Sequence, residues 1–241
     1  MARRRFFVDE VRRGEAELEG EEAEHLTRVL RVEAGQLYEV CDGGRLYLAE
    51  IVEARKQRVR FRIVEPLEFA EPAARIVVMM SLIKFDRFEW MIEKATELGV
   101  EKIVPLQADR SEKGLELAAR KRVERWRKIA RAASQQSRRV HLPEISIPIT
   151  LREASTIPAP YRFYLEETPG CPLLLKAVLA LPERKTGETL AALVGPEGGW
   201  TDRERSQLVS AGWTPVSLGA QILRAETAAI AAVAILSQLG G

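Results

Sequence analysis

The rhythm of apolar and polar positions changes once along the chain, near residue 70. Before that point Gln36 to Cys41, Arg45 to Val52 and Arg58 to Val64 alternate polar with apolar or β-branched residues, the period-two pattern of strands with one buried face. Asp42-Gly43-Gly44 and Lys56-Gln57 stand between them as turns. A helical repeat occurs there only from Glu21 to Arg31, where Ala23, Leu26, Val29 and Leu30 share a stripe and Gly35 follows as a stop. This pattern predicts a small β-barrel or meander. Glu65-Pro66 to Glu71-Pro72 reads as a linker, because each proline disfavours helix in the residue before it and lacks a ladder donor.

Beyond the linker, strands and helices alternate. Arg75 to Ile83 is a near-continuous apolar run, as expected of a strand buried on both faces. Asp86 to Leu98 is helical, with Phe88, Met91, Ile92 and Ala95 on one stripe and Gly99 as its cap. Further strands are predicted at Val100–Leu106, Tyr161–Leu165, Leu190–Val194 and Pro215–Leu218, and helices at Leu173–Leu181, Asp202–Ala211 and Ala225–Leu239. Thr201 and Glu204 have the spacing of a capping box, and Gly212 stands where a left-handed stop belongs. The βαβα order argues an α/β fold with a mainly parallel sheet covered on both faces.

At 241 residues, 46% hydrophobic and 30% charged, the chain can bury a substantial core in one large or two unequal domains. Cys41 and Cys171 are its only cysteines, His25 and His141 its only histidines, and no pair is close enough in sequence for a zinc finger, a CxxC motif or an HExxH helix. No metal is therefore expected. The N-terminus MARRRFFVDE offers only Phe6, Phe7 and Val8 before acids resume, too little for a signal-peptide core. The longest apolar run, Ala228 to Leu236, falls well short of the roughly 20 residues that span a bilayer. The expectation is a cytoplasmic protein without a membrane partner.

The formal charge of +2 conceals a local imbalance. From Arg120 to Arg139 there are nine bases against Glu124 alone, a footprint suited to a polyanion. Val123, Trp126, Ala130 and Ala133 recur through the segment at helical steps, so it reads as one amphipathic helix with its bases outward. A merely solvated helix face is the alternative. Arg3, Arg4 and Arg5 form a second, smaller basic cluster.

In open parallel sheets ligands sit beyond the carboxyl ends of the strands, so the loops there are the candidate site. Gly195-Pro196-Glu197-Gly198-Gly199 leaves a buried strand and runs into the capped helix. Three glycines in five residues permit close backbone approach to a ligand, yet the loop matches neither a Walker loop nor GxGxxG. The second loop, Leu218 to Thr227, places Arg224 and Glu226 at the entry to a tail free of charge from Thr227 to Gly241. Such a helix is buried by its own chain or by a second subunit, and Ala228, Ala231, Ala232 and Ala234 offer a small-residue face for tight packing. Both the core and the dimer remain open as partners for that face. Arg224 and Glu226 need a purpose or a partner there, a structural ion pair being the plain alternative.

These residues resemble the RsmE-type 16S ribosomal RNA uracil-N3 methyltransferases of the SPOUT superfamily over nearly the whole chain. The likeness rests on His25 to Arg31, on Lys84 with Glu93 to Val100, on Gln136 to Arg139, and on Gly195 to Gly199 and Leu218 to Thr227. Where the family usually has Glu-Gln-Ser, this chain has Gln135-Gln136-Ser137. The resemblance implies a PUA-like RNA-binding β-barrel over residues 1–70 and a trefoil-knotted SPOUT methyltransferase domain over residues 73–241, in a homodimer. It also implies S-adenosyl-L-methionine as methyl donor and 16S rRNA of the small ribosomal subunit as substrate.

On that basis the donor is expected against Leu165, Glu166, Val194, Gly195, Pro196, Glu197, Gly198, Gly199, Leu218, Gly219, Ile222, Leu223 and Thr227. The adenine would lie between apolar side chains such as Ile222 and Leu223, and a larger residue at Gly198 should weaken donor binding if that position has positive φ. Arg224 is the candidate for stabilising charge on the target base, with Glu197 or Glu226 as proton acceptor, or water in their place. Arg4, Arg28, Arg31, Lys84, Gln136, Arg138 and Arg139 are expected along the RNA path. The rival expectations are a non-catalytic RNA-binding module and a related enzyme acting on another RNA.

Overall fold

The computed structural model describes residues 4–182 and 185–238. Arg3 of the basic cluster and Leu239, the last residue of the expected C-terminal helix, lie outside them. The chain divides into two compact units, Met1–Glu71 with Ser134–Leu142, and Pro72–Ala133 with Pro143–Gly241.

The first unit is a five-stranded sheet with one short helix. Its elements are β1 (Arg5–Val8), β2 (Glu15–Glu19), α1 (Gly20–Arg28), β3 (Leu37–Asp42), β4 (Arg45–Arg55) and β5 (Arg58–Leu67). The strand order is β1-β3-β4-β5-β2, with β1 parallel to β3 and every other pair antiparallel. The edge strands β1 and β2 approach each other, so the sheet curls around Phe6, Val40, Ile51, Val59 and Phe61. Burial pushes the Cys41 thiol up to about 12, which leaves it an inert core group.

Two expectations for this unit need correction. The helix ends at Arg28 rather than Arg31, and Val29, assigned to its buried stripe, is 64% exposed. Arg31 then takes a left-handed backbone with φ 51°, which turns the chain away from the helix axis. The start of the supposed linker belongs to β5, where Pro66 lies opposite Tyr47. β2 pairs with β5 only from Arg58 to Arg62, so the missing N–H of Pro66 costs no ladder bond on that side of the strand.

The second unit is a seven-stranded sheet in which every pair is parallel. In chain order it comprises β6 (Ala74–Ser81), α2 (Phe85–Glu97), β7 (Lys102–Gln107), α3 (Leu115–Arg120), α4 (Val123–Gln136), β8 (Glu144–Ile145), β9 (Ile149–Thr150) and α5 (Leu151–Ser155). It continues with β10 (Tyr161–Leu165), α6 (Leu174–Leu179), β11 (Glu188–Val194), α7 (Asp202–Ser210), β12 (Thr214–Val216) and α8 (Ala225–Ser237). The order β12-β10-β11-β6-β7-β8 puts the longest apolar strands, β6 and β11, side by side at the centre. Alternate residues of β6 feed two cores. Ile76, Val78 and Met80 face α2, α4 and α8, while Val77 and Met79 pack with Trp200, Leu208 and Trp213.

The basic segment is not one helix, since Arg120 closes α3 and α4 begins at Val123. Its predicted stripe of Val123, Trp126, Ala130 and Ala133 is buried. Its charge is partly answered from elsewhere, because Glu89 of α2 accepts from Arg122 at 3.1 Å and from Arg125 at 2.8 Å, and Glu116 accepts from Arg120 at 3.0 Å. The hydrogen bonds from Arg125 hold the Glu89 carboxyl below its ordinary range against the opposing effect of burial.

The small-residue face of helix α8 is covered unevenly by its own chain. Ala232 is fully buried with Ala229, Val233 and Leu236, whereas Ala231 and Ala234 are only partly covered. Among the described residues no helix is long and apolar enough to cross a membrane.

Candidate donor site at the carboxyl edge of the sheet

Strands β12, β10 and β11 are neighbours, so the loops leaving their carboxyl ends come together. They enclose a cavity of about 670 Å³, in the range usual for a cofactor-sized ligand. Its wall contains Leu165 and Glu166 after β10, Val194 and Gly195 to Gly199 after β11, and Leu218, Gly219, Ile222, Leu223 and Arg224 after β12. Sequence reasoning had singled out all of these.

The glycine loop is held from several sides. Trp200 is buried, and its indole Nε1 donates to the carbonyl of Leu165 at 2.9 Å, which ties the β11 loop to the β10 loop. A Cβ on Gly195 would stand 3.0 Å from that ring. Arg110 Nη1 donates to the Gly198 carbonyl at 2.7 Å from the outside. At the far end Thr201 and Glu204 complete both halves of the capping box, while the second Glu204 oxygen accepts from the Asp109 amide at 2.8 Å. Hydrogen bonds from Arg203 hold the Asp109 carboxyl below its ordinary range.

The β10 side of the wall is charged but internally satisfied. Burial alone pushes the Glu166 carboxyl up, yet Arg205 at 2.6 Å and the amides of Glu167 and Thr168 outweigh it, so the net direction is down. Arg205 and Trp200 also line the cavity. Neither was anticipated, for Arg205 reads as one exposed base on a helix and Trp200 as core.

Several expected roles change with the geometry. Thr227 is exposed on α8 and is not part of the cavity wall. Ile222 contributes to the wall, but its side chain is 81% exposed, so it stands at the rim rather than beneath a buried ring. Gly198 does not meet the condition of positive φ on which its expected sensitivity to substitution depends; that conformation belongs to Gly199 at 66° and Gly219 at 137°. Glu226 is 5% exposed and absent from the wall, while Glu197 lies on it, ion-paired with Arg87. Arg224 lines the cavity, with an exposed side chain that no hydrogen bond or ion pair among the described residues engages.

The expected RNA residues are distributed over both units. In the first, Arg28 is exposed and pairs with Glu24 at 2.7 Å, and Arg4 and Arg31 are exposed. Gln136 ends α4 with an exposed side chain, Arg138 is exposed with φ 60°, and Arg139 Nε donates to the His141 carbonyl at 3.2 Å. Arg5 is different, being buried, with Nη2 on Glu39 at 2.8 Å and Nη1 on the Arg138 carbonyl. In the second unit Lys84 is exposed just before α2.

The chain is similar to known RNA methyltransferases in sequence and in fold. Residues 70–237 match the RNA methyltransferase domain family, and residues 18–64 match the RNA methyltransferase PUA domain family. The chain is 32% identical to ribosomal RNA small subunit methyltransferase E of Bacillus subtilis over 90% of its own length and 88% of that protein. Against the same enzyme of Aquifex aeolicus the identity is 32%, over 95% and 97% of the two chains. The structure of the Neisseria gonorrhoeae enzyme bound to S-adenosyl methionine superposes with a TM-score of 0.86 at 30% identity, covering 99% of this chain and 98% of that one. By sequence and by fold, then, the chain belongs to the ribosomal RNA small subunit methyltransferase E family.

Proposed function

We propose that the protein transfers a methyl group from S-adenosyl-L-methionine to N3 of a uridine in the 16S rRNA of the small ribosomal subunit. One observation carries the proposal: three adjacent strand-end loops enclose a cavity whose wall includes the guanidinium of Arg224, which no hydrogen bond or ion pair among the described residues engages. The residues present suit the donor. Gly195 and Gly198 present bare backbone on the wall, where a Cβ would crowd Trp200 at 3.0 Å or Arg110 at 3.3 Å, and Leu165, Val194 and Leu223 supply apolar surface.

When bound, the donor supplies an electrophilic methyl on a sulfonium, whose leaving group would be a neutral thioether that keeps the electrons of the carbon–sulfur bond. The chain must align the uracil nitrogen with that methyl, accept the N3 proton and stabilise the charge left on the flanking carbonyl oxygens. Arg224 is placed for the charge, since it stays protonated and offers forked donors. Of the two expected proton acceptors only Glu197 lies on the wall, and it is the candidate for the proton, with water as the other acceptor. Glu226, buried in the first turn of α8 and absent from the wall, is better suited to support than to proton transfer.

The same proposal places the RNA along Arg4, Arg28, Arg31, Lys84, Gln136, Arg138 and Arg139, and the protein in the cytoplasm. It makes the active species a homodimer, in which the partly covered Ile230, Ala231, Ala234 and Ile235 of α8 would meet a second copy. The test is to incubate the pure protein with labelled donor and unmodified small subunits, then map the product by mass spectrometry. Label at uridine N3 of 16S rRNA is the expected result. Label elsewhere would reassign the substrate, and no label with proven donor binding would remove the proposal.

A further inference from the structure

Glu226 raises a problem that the donor cavity does not solve. It occupies the first turn of α8, is 5% exposed, and its Oε2 finds no hydrogen-bond partner among the described residues. A buried carboxylate is costly unless a cation or donors compensate it. The nearest cation is Arg87 of α2, whose Nε stands 3.9 Å from Glu226 Oε1, close enough for charge but beyond a good hydrogen bond. The guanidinium of Arg87 is at the same time bonded through Nη1 to Glu197 of the glycine loop. These two carboxylates are its only ion-pair partners among the described residues.

We infer that Arg87 is a positioning residue that sets the spacing of two cavity walls, by holding Glu197 of the glycine loop and Glu226 at the start of α8 on one guanidinium. The geometry makes each carboxylate's position depend on the other. Glu197 lies on the wall in the glycine loop, and Ala225 and Ala228, which flank Glu226 on α8, lie on it as well. Arg87 itself lies outside the wall and touches no ligand surface. Its fork can reach two acceptors in a fixed plane, which the single ammonium of a lysine does less well. Removing it would leave Glu226 buried without a counter-ion and Glu197 free to turn into solvent, so the loop and the helix would no longer be in register.

This inference rests on the donor reading of the cavity, and its test separates the two. Donor affinity is measured calorimetrically with S-adenosyl methionine on the full chain, first for the parent. A parent that binds no donor defeats the donor reading; every later comparison bears on Arg87 alone. Arg87→Met is expected to weaken donor binding about tenfold or more, and Arg87→Met with Glu226→Gln to recover most of that loss, because neutralising the buried acid removes the need for its counter-ion. KM for the RNA substrate should stay within about twofold in both, as Arg87 meets no ligand directly. Donor affinity in Arg87→Met within about twofold of the parent, or a double variant no better than the single one, would overturn the inference. Should Arg87→Met fail to fold, Arg87→Lys decides: weakened donor binding supports the shared fork, and parental affinity refutes it.

Discussion

Arg110 lies against the bare Cα of Gly198, with its Cβ and Cδ both 3.3 Å from where a Gly198 Cβ would stand. A methyl there forces a small shift of an exposed and flexible arginine stem. At Gly195 the same methyl would meet the Trp200 ring, which is buried and hydrogen-bonded to Leu165 and so cannot yield. Gly199 has open space but a φ of 66°. The three glycines therefore resist substitution for three different reasons. Gly195→Ala is expected to weaken donor binding by about 1–3 kcal/mol through overpacking, and Gly199→Ala by about 1–2 kcal/mol through backbone strain. Gly198→Ala should cost the least, under about 1 kcal/mol. Calorimetry on the three variants checks the ranking; a larger loss at Gly198 than at Gly195 would contradict the packing described.

The Glu166–Arg205 pair predicts a reversal in pH dependence. In the parent the folded-state Glu166 carboxyl is held below its unfolded value, so its contribution to stability is present above that value, near 4.3, and is lost as pH falls further. In Arg205→Gln only the Glu167 and Thr168 amides oppose burial, which then prevails and raises the folded-state value above the unfolded one. Lowering the pH from 7 towards 5 should leave the parent's stability from this group unchanged and should increase that of the variant. Urea denaturation at several pH values tests the sign, and parallel profiles for the two proteins would show that Arg205 does not control this carboxyl.

Much of this architecture was legible in the sequence, and the exceptions have physical causes. The runs at Ile76–Met80 and Leu190–Val194 announce central strands because both faces are buried, and Thr201 with Glu204 announces α7 because capping is a local interaction. Strand β1 was hidden by its opposite character, four consecutive buried residues too few to show a period. Strand β2 alternates cleanly but through glutamates, a composition that argues against strand. The site divides in the same way. Its loops were visible as glycines and charges after apolar runs, whereas Arg87, Arg110 and Arg205 act on partners 110, 88 and 39 residues away. For the same reason the basic count from Arg120 to Arg139 overstated the free charge, since Glu89 lies outside the stretch that was counted.

Charge already paired within the fold should not serve the RNA. On β5, Arg58 binds Glu17, Arg60 binds Glu15 and Arg62 binds Glu50, an ion-pair ladder across neighbouring strands. Arg4 and Arg31 are exposed, and the Arg28–Glu24 pair is solvent-screened. Changing Arg4, Arg28 and Arg31 together to Gln should reduce the salt slope of RNA binding by about 2 for single-stranded contacts. The matching triple change at Arg58, Arg60 and Arg62 should leave it nearly unaltered. Filter-binding titrations over a range of salt discriminate the two, and equal slopes in both triples would move the RNA surface elsewhere.

Arg224 offers the sharpest separation between chemistry and structure. It is the N-cap residue of α8, but it caps with its backbone alone, its side chain making no hydrogen bond to the helix. Truncating that side chain should therefore leave the melting temperature and the donor affinity close to those of the parent. What it removes is a fixed positive charge at the cavity wall, of use only when negative charge develops on the base. Loss of one such stabilising group usually costs about 10²- to 10³-fold in turnover. Arg224→Ala is accordingly expected to lower kcat by that order, and Arg224→Lys to restore part of it, since charge returns without the fork. Single-turnover kinetics with saturating donor and RNA isolates the step. A normal kcat with a raised RNA KM would instead make Arg224 a phosphate anchor, and the charge on the uracil oxygens would then have to be met by another group.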